Sequence, residues 1–138
     1  MRTHVLDASA LFRYLMNANG AETVEQLFRQ ASVSKVPILM SVVNWGEVYY
    51  GLVKRAGFTR TDGTMTNLLG RVPLSLVSVT PDDAVRAAKL KAQYNLPYAD
   101  AFAAALTGQQ NVLVTADVEH FSRVPKLRLL KLPSAKKT

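Results

Sequence analysis

Residues 3–17 read Thr3-His4-Val5-Leu6-Asp7-Ala8-Ser9-Ala10-Leu11-Phe12-Arg13-Tyr14-Leu15-Met16-Asn17. A short apolar run ends in an acid, and a helical pattern starts at once, with Leu11, Phe12, Leu15 and Met16 on one face. A strand too short and too apolar to face water, followed directly by a helix, is the unit from which parallel sheets are built. The same grammar recurs along the chain. Strands are expected at 3–7, 37–40, 74–79, 112–115 and 127–130. Helices are expected at 8–17, 21–32, 41–56, 80–94 and 97–107, with a helical turn at 118–121. Thr80-Pro81-Asp82-Asp83 is a strong helix start: a capping hydroxyl, a proline at the first turn, and acids at the positive end of the dipole. Gly57 should stop the third helix, and residues 59–71 are expected to be only partly helical, since Gly63 and Gly70 weaken them. Helices alternating with buried strands predict an α/β domain whose mainly parallel sheet is covered on both faces. No repeat or linker divides it. Residues 1–132 are expected to form one domain and 133–138 a flexible tail.

Composition narrows the chemistry. Of 138 residues none is cysteine and only His4 and His120 are histidine, so a disulfide or a zinc site of the usual Cys/His kind is not expected. A metal would rest on carboxylates, which favours hard ions such as Mg²⁺ or Mn²⁺. No apolar run is long enough to span a bilayer. The opening Met1-Arg2-Thr3-His4 reaches Asp7 without the apolar stretch of a signal peptide, and a cytoplasmic location is expected. The formal charge is +7, from 17 Lys+Arg against 10 Asp+Glu. Such a balance suits a polyanionic partner such as nucleic acid, although many small proteins are basic without one.

The ten acids divide unevenly. Glu22, Glu25, Asp82, Asp83 and Glu119 fit solvated helix faces or helix starts, and Asp62, beside Gly63, suits a turn. Asp7, Glu47, Asp100 and Asp117 instead sit in or just after apolar segments. An acid there is costly without a partner. No Lys or Arg stands three or four residues from Glu47 or Asp100, so a local salt bridge explains neither. Asp7 and Asp117 follow expected strands, where open α/β sheets bind ligands. Each acid taken singly has an ordinary explanation: Asp7 and Asp117 as helix caps, Asp100 as a helix-start acid. Glu47, in a helix interior, has the weakest one. A shared divalent cation accounts for all four. Ser9 and Thr115 are supporting candidates, through bonds to the carboxylates or to a metal-bound water, and equally through ordinary helix-start and strand-end bonding. Asn44 and Tyr98 suit packing or capping better than the crevice. Trp45, Tyr49 and Tyr50 could stack on bases but fit core or interface better.

These segments resemble the PIN-domain nucleases, in particular the small VapC-type toxins. The resemblance rests on Val5-Leu6-Asp7-Ala8-Ser9-Ala10-Leu11, on Glu47 followed by Gly51, on Ala99-Asp100-Ala101-Phe102-Ala103-Ala104-Ala105, and on Leu113-Val114-Thr115-Ala116-Asp117 with His120-Phe121. It extends over nearly the whole chain in order, and Val124-Pro125-Lys126-Leu127-Arg128-Leu129 is similar to the family's last strand. It implies a PIN-like three-layer α/β/α fold. It also implies an Mg²⁺- or Mn²⁺-dependent endoribonuclease with Asp7, Glu47 and Asp100 as principal ligands and Asp117 as a more variable fourth. It further implies a homodimer and a cognate antitoxin that wraps the toxin and blocks its cleft. The basic stretch after Arg123, with Lys126, Arg128 and Lys131, is a candidate RNA contact. The competing readings are a PIN-like module that only binds RNA and a metal-dependent phosphatase of another α/β family. Against the phosphatase, Ser9 stands where such an enzyme would usually carry a second Asp. Geometrically, the four acids should meet at one cleft, with Asp7 and Asp100 closest and, absent metal, a water or a captured cation between them.

Overall fold

A computed structural model describes residues 2–133. The elements follow in the order β1 (His4–Leu6), α1 (Ala8–Leu15), α2 (Ala21–Ser34), β2 (Ile38–Ser41), α3 (Val42–Arg71), β3 (Leu74–Val77), α4 (Pro81–Tyr94), α5 (Tyr98–Thr107), β4 (Val112–Thr115), α6 (Val118–Phe121) and β5 (Arg128–Lys131). Every strand pair is parallel, in the order β3-β2-β1-β4-β5. The alternation of side chains along each strand divides the core in two. Leu6, Ile38, Met40 and Val114 pack beneath α1, α2 and α3, while Val5, Leu39, Leu113 and Leu129 pack beneath α4, α5 and α6. The result is the expected three-layer α/β/α arrangement.

The helix boundaries have local causes. The Thr80 hydroxyl accepts from the Asp83 N–H while the Asp83 carboxylate accepts from the Thr80 N–H, a closed capping box. Gly57 does interrupt α3, at φ 79° and ψ 173°, a backbone region open only to glycine. The chain nevertheless resumes helix immediately, through Gly63 and Gly70, because Thr61, Met65 and Leu68 are buried there. Asp62 is therefore in a helix and not in a turn, and the Tyr49 hydroxyl donates to it at 2.5 Å. Two strands differ slightly from expectation: β3 ends at Val77, and β5 runs one residue later than 127–130. Of the expected tail, only Pro133 lies within the described residues, and its carbonyl accepts from Arg13 at 2.9 Å.

Candidate metal centre and cleft

The strand order reverses between β1 and β4, so their C-terminal ends open a crevice. Register pairs Leu6 with Val114, which brings Asp7, just past β1, beside Thr115, the last residue of β4. Asp7 is nearly fully buried. Its Oδ1 accepts from the Ser9 hydroxyl at 2.7 Å and from the Ala10 N–H at 2.9 Å, and its Oδ2 accepts from the Thr115 hydroxyl at 2.5 Å. Asp7 thus caps α1, as its ordinary explanation requires, and still presents a carboxylate to the crevice. Ser9 and Thr115 both reinforce it. The Ser9 oxygen accepts from the Ala116 N–H, and the Thr115 oxygen from the Asp117 N–H, each at 2.9 Å. One small network ties the two strand ends together. Burial pushes the Asp7 carboxyl up to about 6, with the charge of Asp100 adding to the rise, although the three hydrogen bonds pull the other way.

Asp100 comes from the first turn of α5. Burial raises its pKa and so does Asp117, while the charge and hydrogen bond of His120 oppose them. The His120 Nδ1 lies 3.2 Å from Asp100 Oδ2 and 3.4 Å from Asp117 Oδ2. One ligand atom from each of Asp100, Asp117 and His120 falls within 4.8 Å of the other two. Asp7 is not a member of this triad, although the charge of Asp100 reaches it. The imidazole of His120 stands against both Asp100 and Asp117, a group that sequence reasoning did not assign to the site. Its signal was present: His120 stands three residues after Asp117, a spacing that puts both on one side of a helical turn.

Glu47 projects from the second turn of α3 at the cleft edge. It lines one cavity of about 440 Å³ with Ser9 and Asp117. Partial burial raises its pKa first; the Asn44 bond lowers it and the charge of Asp100 raises it further. Asn44 is fully buried. Its amide donates to Glu47 Oε1 at 3.0 Å and to the Ala99 carbonyl at 3.1 Å, pinning α3 to the residue before Asp100. This places Asn44 beside the site, where packing or capping had been the better expectation. Tyr98, at the start of α5, packs its ring 4.9 Å from that of Phe102.

All four acids of the sequence reading thus gather at the switch point. Among the described residues no Lys or Arg forms an ion pair with any of them. Carboxylates from four segments, three of them (Asp7, Glu47 and Asp100) raised in pKa and none paired with Lys or Arg, together with an imidazole, suit a divalent cation. Asp100, Asp117 and His120 form its tightest donor set, with Asp7 and Glu47 alongside.

The basic candidates separate. Lys131 pairs with Thr115 at the crevice end of the sheet. Arg128 pairs with Val112 at the opposite end, where its guanidinium donates to the Gln109 carbonyl. Lys126 lies before β5, at a positive φ of 65°.

Residues 4–127 match the model of the PIN domain. The chain belongs to the PIN-domain family. No curated protein sequence matches this PIN domain. Its fold is similar to that in DNA-bound VapBC from Salmonella typhimurium, with a TM-score of 0.72 and 17% identity, covering 95% of this chain and 98% of that one. It is also similar to VapBC2 from Rickettsia felis bound to a promoter DNA fragment, with a TM-score of 0.70 and 15% identity over 94% and 98% of the two chains. A third likeness is to Mycobacterium tuberculosis VapC20, a sarcin-ricin loop cleaving toxin, with a TM-score of 0.62 and 16% identity over 91% and 99%. These identities speak for the shared fold. No helix among the described residues of the PIN domain is long and apolar enough to cross a membrane.

Proposed function

We propose that this PIN domain is a metal-dependent endoribonuclease and the toxin of a type II toxin–antitoxin pair. One observation carries the reading: four acids from separate segments converge on the β1–β4 crevice, and among the described residues no Lys or Arg pairs with them. Asp7, Glu47, Asp100 and Asp117 would hold Mg²⁺ or Mn²⁺, with His120 beside them. A divalent ion in such a site lowers the pKa of a bound water and offsets charge on the phosphodiester. Ser9 and Thr115 hold the Asp7 carboxylate in one orientation, and Asn44 does the same for Glu47, so the donors are positioned before substrate arrives. One carboxylate of the cluster takes the proton of the attacking water. Lys131, at the same end of the sheet, is a candidate phosphate contact, as are Lys126 and Arg128 on a longer RNA path.

The neighbours described as VapBC support a protein partner. Cover of the cleft by that partner, pairing of two copies and action in the cytoplasm are parts of the same proposal. The test is cleavage of end-labelled RNA by the purified protein in EDTA, Mg²⁺ and Mn²⁺. We expect cleavage only with metal. An intact substrate in both metals would leave the domain an RNA-binding module.

A further inference from the structure

The cavity that begins at Ser9, Glu47 and Asp117 continues away from the acids, over Phe12, Val48 and Gly51. Its volume of about 440 Å³ is far more than a hydrated ion needs and lies in the range of small-molecule sites. The Phe12 ring lines this extension, and two features hold it in place. A Cβ at position 51 would stand 2.9 Å from Phe12 Cε2, so the ring lies against the bare backbone of α3. From outside the cavity, the Arg55 guanidinium carbon rests 5.2 Å from the ring centroid. Arg13 borders the same space. Its Nη1 donates to the Asn19 and Pro133 carbonyls at 2.8 and 2.9 Å, which fixes the group, and among the described residues no acid pairs with it.

A fixed aromatic ring next to a fixed positive charge, in one cleft with the acids, matches the chemistry of a polynucleotide: a π face between two phosphates. We propose that Phe12, seated by Gly51 and backed by Arg55, forms a nucleobase subsite for single-stranded RNA, with Arg13 facing the adjoining phosphate. The inference rests on the nuclease reading above. Single-stranded bases are held by stacking on aromatic rings and guanidinium planes, and such stacking tolerates any base while still favouring the larger ones.

The test uses the full chain and a short single-stranded oligoribonucleotide with one abasic position moved along it. kcat and KM are measured in Mn²⁺ for wild type, Phe12→Leu and Gly51→Ala. The second variant leaves Phe12 in place but forces its ring to shift. For wild type, one abasic position beside the cleaved bond should raise KM about tenfold. In Phe12→Leu, KM for the intact oligonucleotide should rise by a similar factor with kcat little changed, and the abasic position should no longer matter. Gly51→Ala should lie between. Equal sensitivity to abasic positions in all three proteins overturns the subsite and leaves the nuclease reading standing. So does a Phe12→Leu protein with normal RNA kinetics that has lost inhibition by a protein partner, which would give this surface to that partner. Absence of cleavage by wild type in either metal overturns both.

Discussion

Asp7 carries two jobs that pull in opposite directions. As the cap of α1 it must be buried and hydrogen-bonded, and as the metal ligand we propose, it must be charged. Burial pushes its carboxyl up to about 6 in the fold, against an ordinary 3.8. Below pH 4 both folded and unfolded chains hold the proton. Between 4 and 6 the folded chain binds the extra proton, so stability falls as pH rises, and above 6 the whole cost is present. Two pKa units correspond to about 3 kcal/mol. Metal-free protein should therefore melt at lower temperature at pH 7.5 than at pH 5, and Asp7→Asn should reverse most of that loss. A melting series with and without Mn²⁺ checks it, and a wild-type Tm that rises over that interval would contradict the assignment. The same substitution, like Asp100→Asn, should cut RNA cleavage by more than about 100-fold, because even the partners of ligands cost roughly 10–100-fold. Thr115→Val should fall within that smaller range, read as kcat/KM at saturating metal.

At the scale of elements, the site depends on two helices arriving at fixed angles to the sheet. α3 is steered by Ser41, whose hydroxyl caps it at Val43, and by Asn44, which reaches across to α5. Its second half turns away at Gly57, whose φ and ψ exclude a side chain. Gly57→Ala should lower unfolding stability by about 1–3 kcal/mol, measured by denaturant titration. Cleavage per folded molecule should change little, since Asn44 and Glu47 lie upstream of the break. This break was legible in the sequence from the glycine alone. The helix beyond it was legible only in part, because glycines at 63 and 70 weaken local propensity while burial of Met65 and Leu68 overrides them.

Over the whole molecule, charge is the longest-ranged property. Salt should weaken RNA binding steeply, since each Lys or Arg on a phosphate releases counterions. Lys131, at the crevice end of β5, should contribute about 0.7 to the slope of log K against log salt for single-stranded RNA. Arg128→Ala should leave that slope unchanged for a short RNA, because its guanidinium sits on the Gln109 carbonyl at the other end of the sheet. Binding isotherms at several salt concentrations separate the two. Equal slopes for Lys131→Ala and wild type would move the RNA path off β5.

By itself the sequence determined the layers, the parallel sheet and the four acids, because these are matters of period and of misplaced charge. Short apolar strands must be covered on both faces, and a carboxylate in an apolar segment must find a countercharge. Only the tertiary structure decided how the acids are grouped. Two strands and two helices set the positions of Asp7, Asp117, Glu47 and Asp100, and nothing local to any of them states which will be nearest. The fold drew Asp100 toward Asp117 and His120, and gave Asp7 to Ser9 and Thr115. His120 and Asn44 joined the site for the same reason. Each stands three residues from one acid, Asp117 or Glu47, but only packing across 20 residues in one case and 55 in the other carried them to Asp100 and to the residue before it.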